Sequence, residues 1–186
     1  MQIGYQIFSC PLGELLVAGT PFAVTNILLG TDKTQLGAEF LWQHDNASSI
    51  AKNEYVKEAC QAIAAYLHGE NPRIDVAIQL DGTEFQRKVW SVLRQIPYGH
   101  TISYSAVAGA IGDSSAVRAV ANACADNPVP LIVPCHRVIH KNGDITGFSW
   151  GKEAKRWLLD LEKTHAPVFM PGQTTPVFSS TSNAVL

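Results

Sequence analysis

The chain has 186 residues, of which 46% are hydrophobic, 16% charged and 9% aromatic, with 14 glycines and 10 prolines. This composition is that of an ordinary globular protein, and it excludes collagen-like, fibrous and wholly disordered chains. No apolar stretch approaches the roughly 18 residues that cross a bilayer, and residues 1–10 lack the basic and apolar regions of a signal peptide. We therefore expect an intracellular protein without a membrane partner, in the cytoplasm of a prokaryote or the nucleus of a eukaryote.

The charge is unevenly distributed along the chain. Residues 1–81 carry 4 Lys or Arg and 9 Asp or Glu, a net charge of −5, whereas residues 82–163 carry 10 and 7, a net charge of +3. This polarity would let a polyanion meet the second segment while the first stays clear of it. Ordinary scatter in charge accounts for the same numbers equally well.

The four cysteines are spaced too widely for a metal or disulfide framework. They are separated by 50, 64 and 11 residues, which matches neither a CxxC pattern nor a small disulfide scaffold. Cys60 and Cys124 lie on predicted apolar helix faces, and no Cys/His cluster surrounds Cys10. We therefore expect free thiols and no bound metal.

The first segment is predicted to be a small α+β unit that ends near Asp81. Apolar residues alternate or cluster near residues 3–7, 15–18 and 22–29, with turn residues between them, which predicts short antiparallel strands. Helical spacing of apolar residues before Gly69 predicts a helix from about Ser49 to His68. Alternation over residues 74–80 predicts one more strand.

The second segment opens with signals for three helices. Thr83 and Gln86 form a capping box, which predicts a helix to about Gln95. Ser103 can cap a short helix that ends at Gly112. Ser114 or Ser115 can start another that runs to about Asp126, and two short helices joined by a Gly-containing turn predict a helix-turn-helix.

The last of these helices is nearly smooth. Residues 114–125 are almost all small, with Arg118 as the single basic residue. Such a helix can approach another surface closely, although small residues also permit tight packing inside a domain. Because a recognition helix usually carries several long polar side chains, sequence-specific base reading is not expected.

A cysteine then follows an apolar run. Residues 131–133 predict a buried strand, and Pro134-Cys135-His136-Arg137-Val138 comes directly after it. Further along, Asn142-Gly143 predicts a turn, residues 147–151 a loop, and residues 154–161 a helix with one apolar face. A lone buried cysteine is more often structural than catalytic. An adjacent imidazole or cation favours the catalytic interpretation, because it can stabilise a thiolate.

Pro134-Cys135-His136-Arg137-Val138, with Asn127-Pro128-Val129-Pro130 before it, resembles the active-site signature of the O6-alkylguanine-DNA alkyltransferases, also called methylated-DNA-protein-cysteine methyltransferases. The similarity runs without a gap from about Thr83 to Glu162 and includes the blocks 96–99, 102–104 and 116–120. Residues 1–81 match more loosely. The resemblance implies an α+β protein whose N-terminal domain is ribonuclease H-like and whose mainly helical C-terminal domain contains the helix-turn-helix.

The resemblance also implies roles for individual residues. Cys135 would accept the alkyl group, and His136 would reach its thiol through a bridging water and be oriented by Glu162. Tyr104 would donate a proton or hydrogen bond to the departing guanine. The protein would be consumed, because a thioether offers no easy leaving group. No organic cofactor is implied, since the nucleophile and the acceptor are both protein.

The expected DNA contacts centre on Arg118, which would enter the duplex where the extruded nucleotide had been. The other expected contacts are Ser103, Ser114, Ala119 and Arg137. Base flipping is required because the reacting carbon lies inside the duplex. Asn127 would brace the turn before the cysteine, while Val138, Phe148 and Ser149 would line the base pocket. Phe148 stands where many family members have tyrosine, so a hydroxyl contact is lost.

These inferences give a division into residues 1–81, a scaffold; residues 82–165, the DNA-binding and alkyl-transfer domain; and residues 166–186, an uncharged, flexible tail. The expected partner is double-stranded DNA carrying O6-alkylguanine, with O4-alkylthymine as an open alternative, and the protein is expected to act as a monomer. The alternatives are a sensor that recognises alkylated DNA without repairing it, and a Cys-His hydrolase. Sensors of that kind lack the cysteine, and a hydrolase would need an oxyanion hole.

Overall fold

The computed structural model describes residues 3–44, 47–49 and 54–166. Its N-terminal part is a four-stranded sheet in the order β3-β2-β1-β4. The strands are β1 (Ile3–Cys10), β2 (Gly13–Gly19), β3 (Val24–Gly30) and β4 (Ala47–Ser49). β2 pairs antiparallel with both β1 and β3, whereas β4 runs parallel to β1.

A helix covers each face of this sheet: α1 (Lys33–Gln43) and α2 (Glu54–Leu67). Leu16 on β2 belongs to the small apolar cluster that contains Phe40 of α1. Leu15 faces the other way, into the main core with residues of α2. Both faces of β2 are therefore buried, which explains why its apolar residues form a continuous run instead of alternating.

The structure of the first segment differs from the prediction at three places. Helix α1 was not predicted, although Asp32 Oδ1 caps it by accepting from the Gln35 backbone N–H at 2.7 Å. The second helix does not start at Ser49, which lies in β4. Residues 74–80 alternate in burial as expected but form a single bridge, between Val24 and Ile78, rather than a strand.

The rest of the described chain is mainly helical. Its elements are α3 (Glu84–Leu93), β5 (Ile102–Ser103), α4 (Tyr104–Ala110), α5 (Val117–Ala125), a 3-10 turn (Cys135–Arg137), β6 (Val138–Ile139) and α6 (Gly151–His165). β5 and β6 form a short parallel pair. α5 packs against both α3 and α4, and the Trp90 indole N–H of α3 donates to the Ala123 carbonyl at 2.8 Å.

Local signals set most of these boundaries. The capping box is present, with the Gln86 N–H donating to Thr83 Oγ1 and the Thr83 N–H donating to Gln86 Oε1. Ser103 caps α4 by accepting from the Ala106 N–H at 3.1 Å. The predicted start of α5 was wrong, because the Ser115 hydroxyl donates to Asp113 and the helix begins at Val117.

The predicted strand at residues 131–133 was also wrong. Leu131 has a φ of +78°, and Pro130 and Val133 form an isolated bridge, so this segment is a tight buried turn. A positive φ is rare for a leucine and is tolerated only where the surrounding structure enforces it. This turn delivers the chain to Cys135.

One hydrophobic cluster connects the two parts of the molecule. It includes Leu15 and Ile63 from the first segment and Val89, Val133 and Leu158 from the second. The division at residues 81 and 82 stays a prediction. Of the expected tail, residues 167–186 lie outside the described residues. Among the helices of the described ranges, none is both long and apolar enough to cross a bilayer.

Candidate active site

Cys135 begins the 3-10 turn and is 2% exposed. The Asn127 side-chain amide donates to the Val133 carbonyl at 2.7 Å and to Cys135 Sγ at 3.1 Å. Its oxygen accepts from the Val129 N–H at 3.1 Å. Asn127 thus connects the end of α5, the turn and the sulfur atom, which gives the thiol a defined position.

His136 and Glu162 form a buried pair next to this cysteine. His136 Nε2 lies 2.6 Å from Glu162 Oε1, and both side chains are fully buried. The carboxylate also accepts from the Tyr66 hydroxyl and, at 2.9 Å, from the Gly99 N–H. His136 Nδ1 is buried and has no hydrogen-bond partner among the described residues.

Arg137, which was expected to contact DNA, is bonded to this cluster in the structure. Its Nε donates to both carboxylate oxygens of Glu162, at 3.0 and 2.9 Å, and its Nη1 donates to the Ile96 carbonyl at 2.6 Å. The residue is 7% exposed. A guanidinium held in this way neutralises a buried carboxylate, and most of its surface is inaccessible to solvent.

The charges of this cluster determine the protonation of His136. Burial acts to raise the pKa of Glu162, but the hydrogen bonds from His136 and Arg137 and the positive charge of Arg137 outweigh it and lower the pKa to about 2. Burial lowers the pKa of His136, against the opposing effect of Glu162. A neutral imidazole beside a carboxylate carries its proton on Nε2, which leaves Nδ1 as the acceptor.

The resting thiol of Cys135 is protonated. Burial raises its pKa to about 11, although the Asn127 hydrogen bond and the positive charge of Lys155 act to lower it. Lys155 is itself fully buried, donates to the Val138 carbonyl at 2.6 Å, and has a pKa lowered by burial. The site therefore holds an acceptor and a cation near a thiol that must lose its proton before it reacts.

Tyr104 faces the same region from the start of α4. Lys155 Nζ lies 5.8 Å from the centroid of its ring. Burial raises the pKa of Tyr104 to about 12, so its hydroxyl stays protonated. A Cβ at Gly147 would stand 3.6 Å from that hydroxyl, so the loop before α6 passes close to it.

The expected pocket residues differ in exposure. Phe148 is buried and packs edge-to-face against His136, with ring centroids 6.3 Å apart, whereas Ser149 is exposed. The Val138 carbonyl already accepts from Lys155, and its N–H donates to the Cys135 carbonyl. A carbonyl oxygen can accept a second hydrogen bond, so Val138 retains one acceptor site.

The expected DNA contacts other than Arg137 lie at the end of β5, on α5 and in the turn between α4 and α5. Arg118 and Ala119 are exposed on α5, and Ser114 is exposed before it. Ser103 is half-buried and uses its hydroxyl oxygen to cap α4. Arg118 thus stands as an isolated cation on a surface of small residues.

Sequence reasoning missed three residues of the cluster: Tyr66, Gly99 and Lys155. Lys155 had a local signal, because it lies seven residues before Glu162 on the apolar face of α6. Gly99 lies in the Pro97-Tyr98-Gly99 segment that follows α3, but nothing in the sequence near it indicated a bond to Glu162. Tyr66 resembled any core aromatic residue of α2. In the described ranges, no group of three or more His, Cys, Asp or Glu residues could hold a metal ion.

Comparisons with known proteins identify relatives of this chain. Residues 84–164 match the family model described as 6-O-methylguanine DNA methyltransferase, DNA binding domain. A methylated-DNA–protein-cysteine methyltransferase of Methanosarcina acetivorans is 39% identical over 158 residues, covering 85% of this chain and 97% of the relative.

Solved structures give the same result. The O6-methylguanine methyltransferase of Mycobacterium tuberculosis superposes with a TM-score of 0.75 at 38% identity, covering 90% of this chain and 97% of that one. The structure of the M. tuberculosis protein in complex with DNA gives a TM-score of 0.76 at 38% identity, covering 88% and 95%.

The mixed α+β fold and a cysteine beside a buried His-Glu pair define a DNA-binding methyltransferase that acts in DNA repair. With relatives of this similarity over nearly their full length, the chain belongs to the methylated-DNA–protein-cysteine methyltransferase family.

Proposed function

We propose that this protein removes a methyl or other alkyl group from O6 of guanine in duplex DNA by transferring it, once, to Cys135 Sγ. The observation that carries the proposal is the state of His136, whose Nε2 faces an ionised Glu162 and whose buried Nδ1 has no protein partner in the described part of the chain. This arrangement leaves Nδ1 as a proton acceptor next to the cysteine. The names of the relatives support the substrate class.

In the first step, the thiol proton passes to Nδ1 of His136 through a bridging water. The pKa of Cys135, raised to about 11, means that very little thiolate exists without this acceptor. Glu162 stabilises the imidazolium that forms, and Lys155 stabilises the thiolate. Tyr66, Gly99 and Arg137 hold Glu162 in place, so we assign them positioning roles.

In the second step, the thiolate attacks the alkyl carbon and the bond between that carbon and O6 breaks. A C–S bond forms, and the bonding electrons leave with guanine. Guanine becomes neutral by taking the proton of the Tyr104 hydroxyl, and the resulting tyrosinate regains a proton from solvent while His136 releases one. The thioether remains on the protein, so each molecule reacts once.

Access to the reacting carbon requires that the nucleotide leave the helix. We propose that α4 and α5 form the helix-turn-helix, with α5 against the duplex. The exposed small residues of α5 allow a close approach, and Arg118 fills the space left by the extruded base. Ser103, Ser114 and Ala119 contact the flanking backbone.

The extruded base would lie between Tyr104 and the loop at residues 147–151. Asn127 holds the sulfur in line, while Val138, Phe148 and Ser149 line the pocket. The same pocket chemistry would accept O4-alkylthymine if its width allows. We further propose that residues 1–81 are a ribonuclease H-like scaffold and residues 82–165 the reactive domain, and that the protein acts as a monomer.

Intact-mass measurement after incubation with O6-methylguanine duplex tests this function. A gain of one methylene mass, mapped by peptide analysis to Cys135, supports it. A sensor would bind the same duplex without gaining mass, and a hydrolase would turn over an acyl substrate repeatedly. Unmodified protein together with retained methyl groups in the DNA would overturn the proposal.

A further inference from the structure

A polar cavity lies beside the buried cluster around Glu162 and is lined in part by Arg137. Its volume is about 200 Å³, and its walls come from residues 72–75, the end of α3, and the turn that precedes Cys135. Its charged and polar wall residues are Tyr66, Arg73, Asp75, Arg94 and Arg137. Three arginines therefore meet at one small cavity in a chain whose overall charge is −2.

Two of these arginines have no partner in the described part of the chain. The side chains of Arg73 and Arg94 form no hydrogen bond or ion pair with any described residue, and both are exposed. By contrast, the exposed Arg156 on α6 pairs with Glu153 at 3.0 Å. Unpaired guanidinium groups that converge on a cavity are the usual means by which proteins bind phosphate groups.

The third arginine supplies a fixed element. Arg137 is buried and held by Glu162 and the Ile96 carbonyl through Nε and Nη1. A guanidinium has five N–H donors, so donors remain on the side that lines the cavity. An anion there would meet one preorganised arginine and two solvent-exposed ones.

The cavity fits a small anion better than a large ligand. Water occupies about 30 Å³ per molecule in the liquid, so a cavity of this size holds a tetrahedral anion and a few waters. Glu162 offsets the charge of Arg137, and Asp75 offsets one of the two exposed arginines, so the cavity keeps a net positive charge. This charge and the free guanidinium N–H donors favour a small anion such as phosphate.

We propose that this cavity is a binding site for a free phosphate-class anion, separate from the sulfur and from Arg118. The anion bridges residues 72–75 to α3 through Arg73 and Arg94. It also contacts Arg137 from the cavity side. The anion therefore connects residues 72–75 with the cluster around Glu162.

Isothermal titration with inorganic phosphate at constant ionic strength tests the site. We expect one anion per chain, and Arg73→Gln and Arg94→Gln should each weaken binding at least about fivefold, because a charge-assisted contact is lost. Asp75→Asn should tighten binding at least about twofold by removing a repulsive charge. Arg156→Gln, the matched control away from the cavity, should leave it unchanged.

Equal phosphate affinity in all variants, or weaker binding by Asp75→Asn, would overturn the proposal. Thermal unfolding of each variant without phosphate checks that the fold is retained, since all four substituted side chains are exposed. Duplex binding provides the last test. If Arg73→Gln weakens affinity for undamaged duplex as much as for phosphate, the cavity belongs to the DNA interface and the free-anion site is refuted.

Discussion

Nε2 of His136 lies 2.6 Å from Oε1 of Glu162 across 26 residues of chain, with neither side chain accessible to solvent. The carboxylate accepts further bonds from Tyr66, Gly99 and Arg137. A buried charge is tolerated only when it is paired and fully hydrogen-bonded, and Glu162 meets both conditions. The proposed relay and the packing of α6 onto the cysteine turn therefore depend on the same carboxylate.

Glu162→Gln should slow methyl transfer at neutral pH. The amide cannot stabilise an imidazolium, so we expect a rate loss of at least about tenfold at pH 7, within the 10²- to 10⁴-fold that general-base catalysis supplies. Raising the pH should recover part of the rate, because hydroxide can then ionise the thiol. Single-turnover rates with saturating methylated duplex from about pH 6 to 9 measure this. Asp160→Asn, an exposed carboxylate on the same helix, is the control, and a parallel profile in both variants would remove Glu162 from the mechanism.

The same carboxylate should make the fold sensitive to acid. The pKa of Glu162 is about 2 in the folded protein and about 4.3 in the unfolded chain. Ionised Glu162 therefore stabilises the folded state fully above about pH 4.3, and this stabilisation is lost as the pH falls toward 2. The loss should be about 3 kcal/mol of unfolding free energy for the wild type. Urea unfolding between pH 2 and 6 should show a shallower pH dependence for Glu162→Gln and an unchanged one for Asp160→Asn. Glu162→Gln should also lower the free energy of unfolding at pH 7 by about 3 kcal/mol, because Arg137 loses its counter-charge.

Cys135→Ser should abolish methyl transfer while leaving duplex affinity nearly unchanged. The hydroxyl is of similar size and can accept the Asn127 hydrogen bond, but it ionises far less readily than a thiol. Binding and methyl loss can be measured on one methylated oligonucleotide. Cys124→Ser, which changes a buried thiol of α5, should keep the reaction. Continued methyl loss with Cys135→Ser would refute the assignment of the acceptor.

Arg118→Ala should harm the reaction in duplex far more than the reaction with free O6-methylguanine base. The free base needs no flipping, whereas duplex repair loses the side chain that fills the gap. We expect duplex affinity to fall about tenfold, the equivalent of 1.4 kcal/mol, with little change toward the base. Arg156→Ala removes the same charge from α6 and serves as the control. Equal losses on both substrates would place Arg118 in the pocket or the fold.

Gly99→Ala should destabilise the protein more than Gly143→Ala. Both glycines have positive φ, +75° and +85°, so each substitution costs about 1 kcal/mol of backbone strain. A Cβ at Gly99 would also come within 2.8 Å of the Ala166 Cβ, whereas one at Gly143 would meet nothing within 4 Å. Because the Gly99 N–H holds Glu162, its variant alone should slow methyl transfer. Equal stability and rate in the two variants would contradict this positioning role.

The features that the sequence alone predicted correctly depend mostly on interactions between residues close together in the chain. A capping box, a serine cap and Gly112 depend on neighbours within a few residues, and the structure reproduces them. The motif around Cys135 could likewise be recognised in the sequence, because its residues are contiguous. Helix α1 was not predicted, although Asp32 caps it through a residue only three positions away. The sequence therefore contained a local signal for this helix as well.

Tertiary structure alone decided the environment of Glu162. Tyr66 is 96 residues away from it, and Gly99 is 63 residues away, so no local pattern could have paired them. The sequence led us to expect Arg137 at the DNA, whereas its burial and its bond to Glu162, 25 residues away, depend on the tertiary structure. The apolar run at residues 131–133 became a turn for a similar reason. Burial dictates that a segment be apolar, whereas the contacts around it decide whether its backbone is a strand.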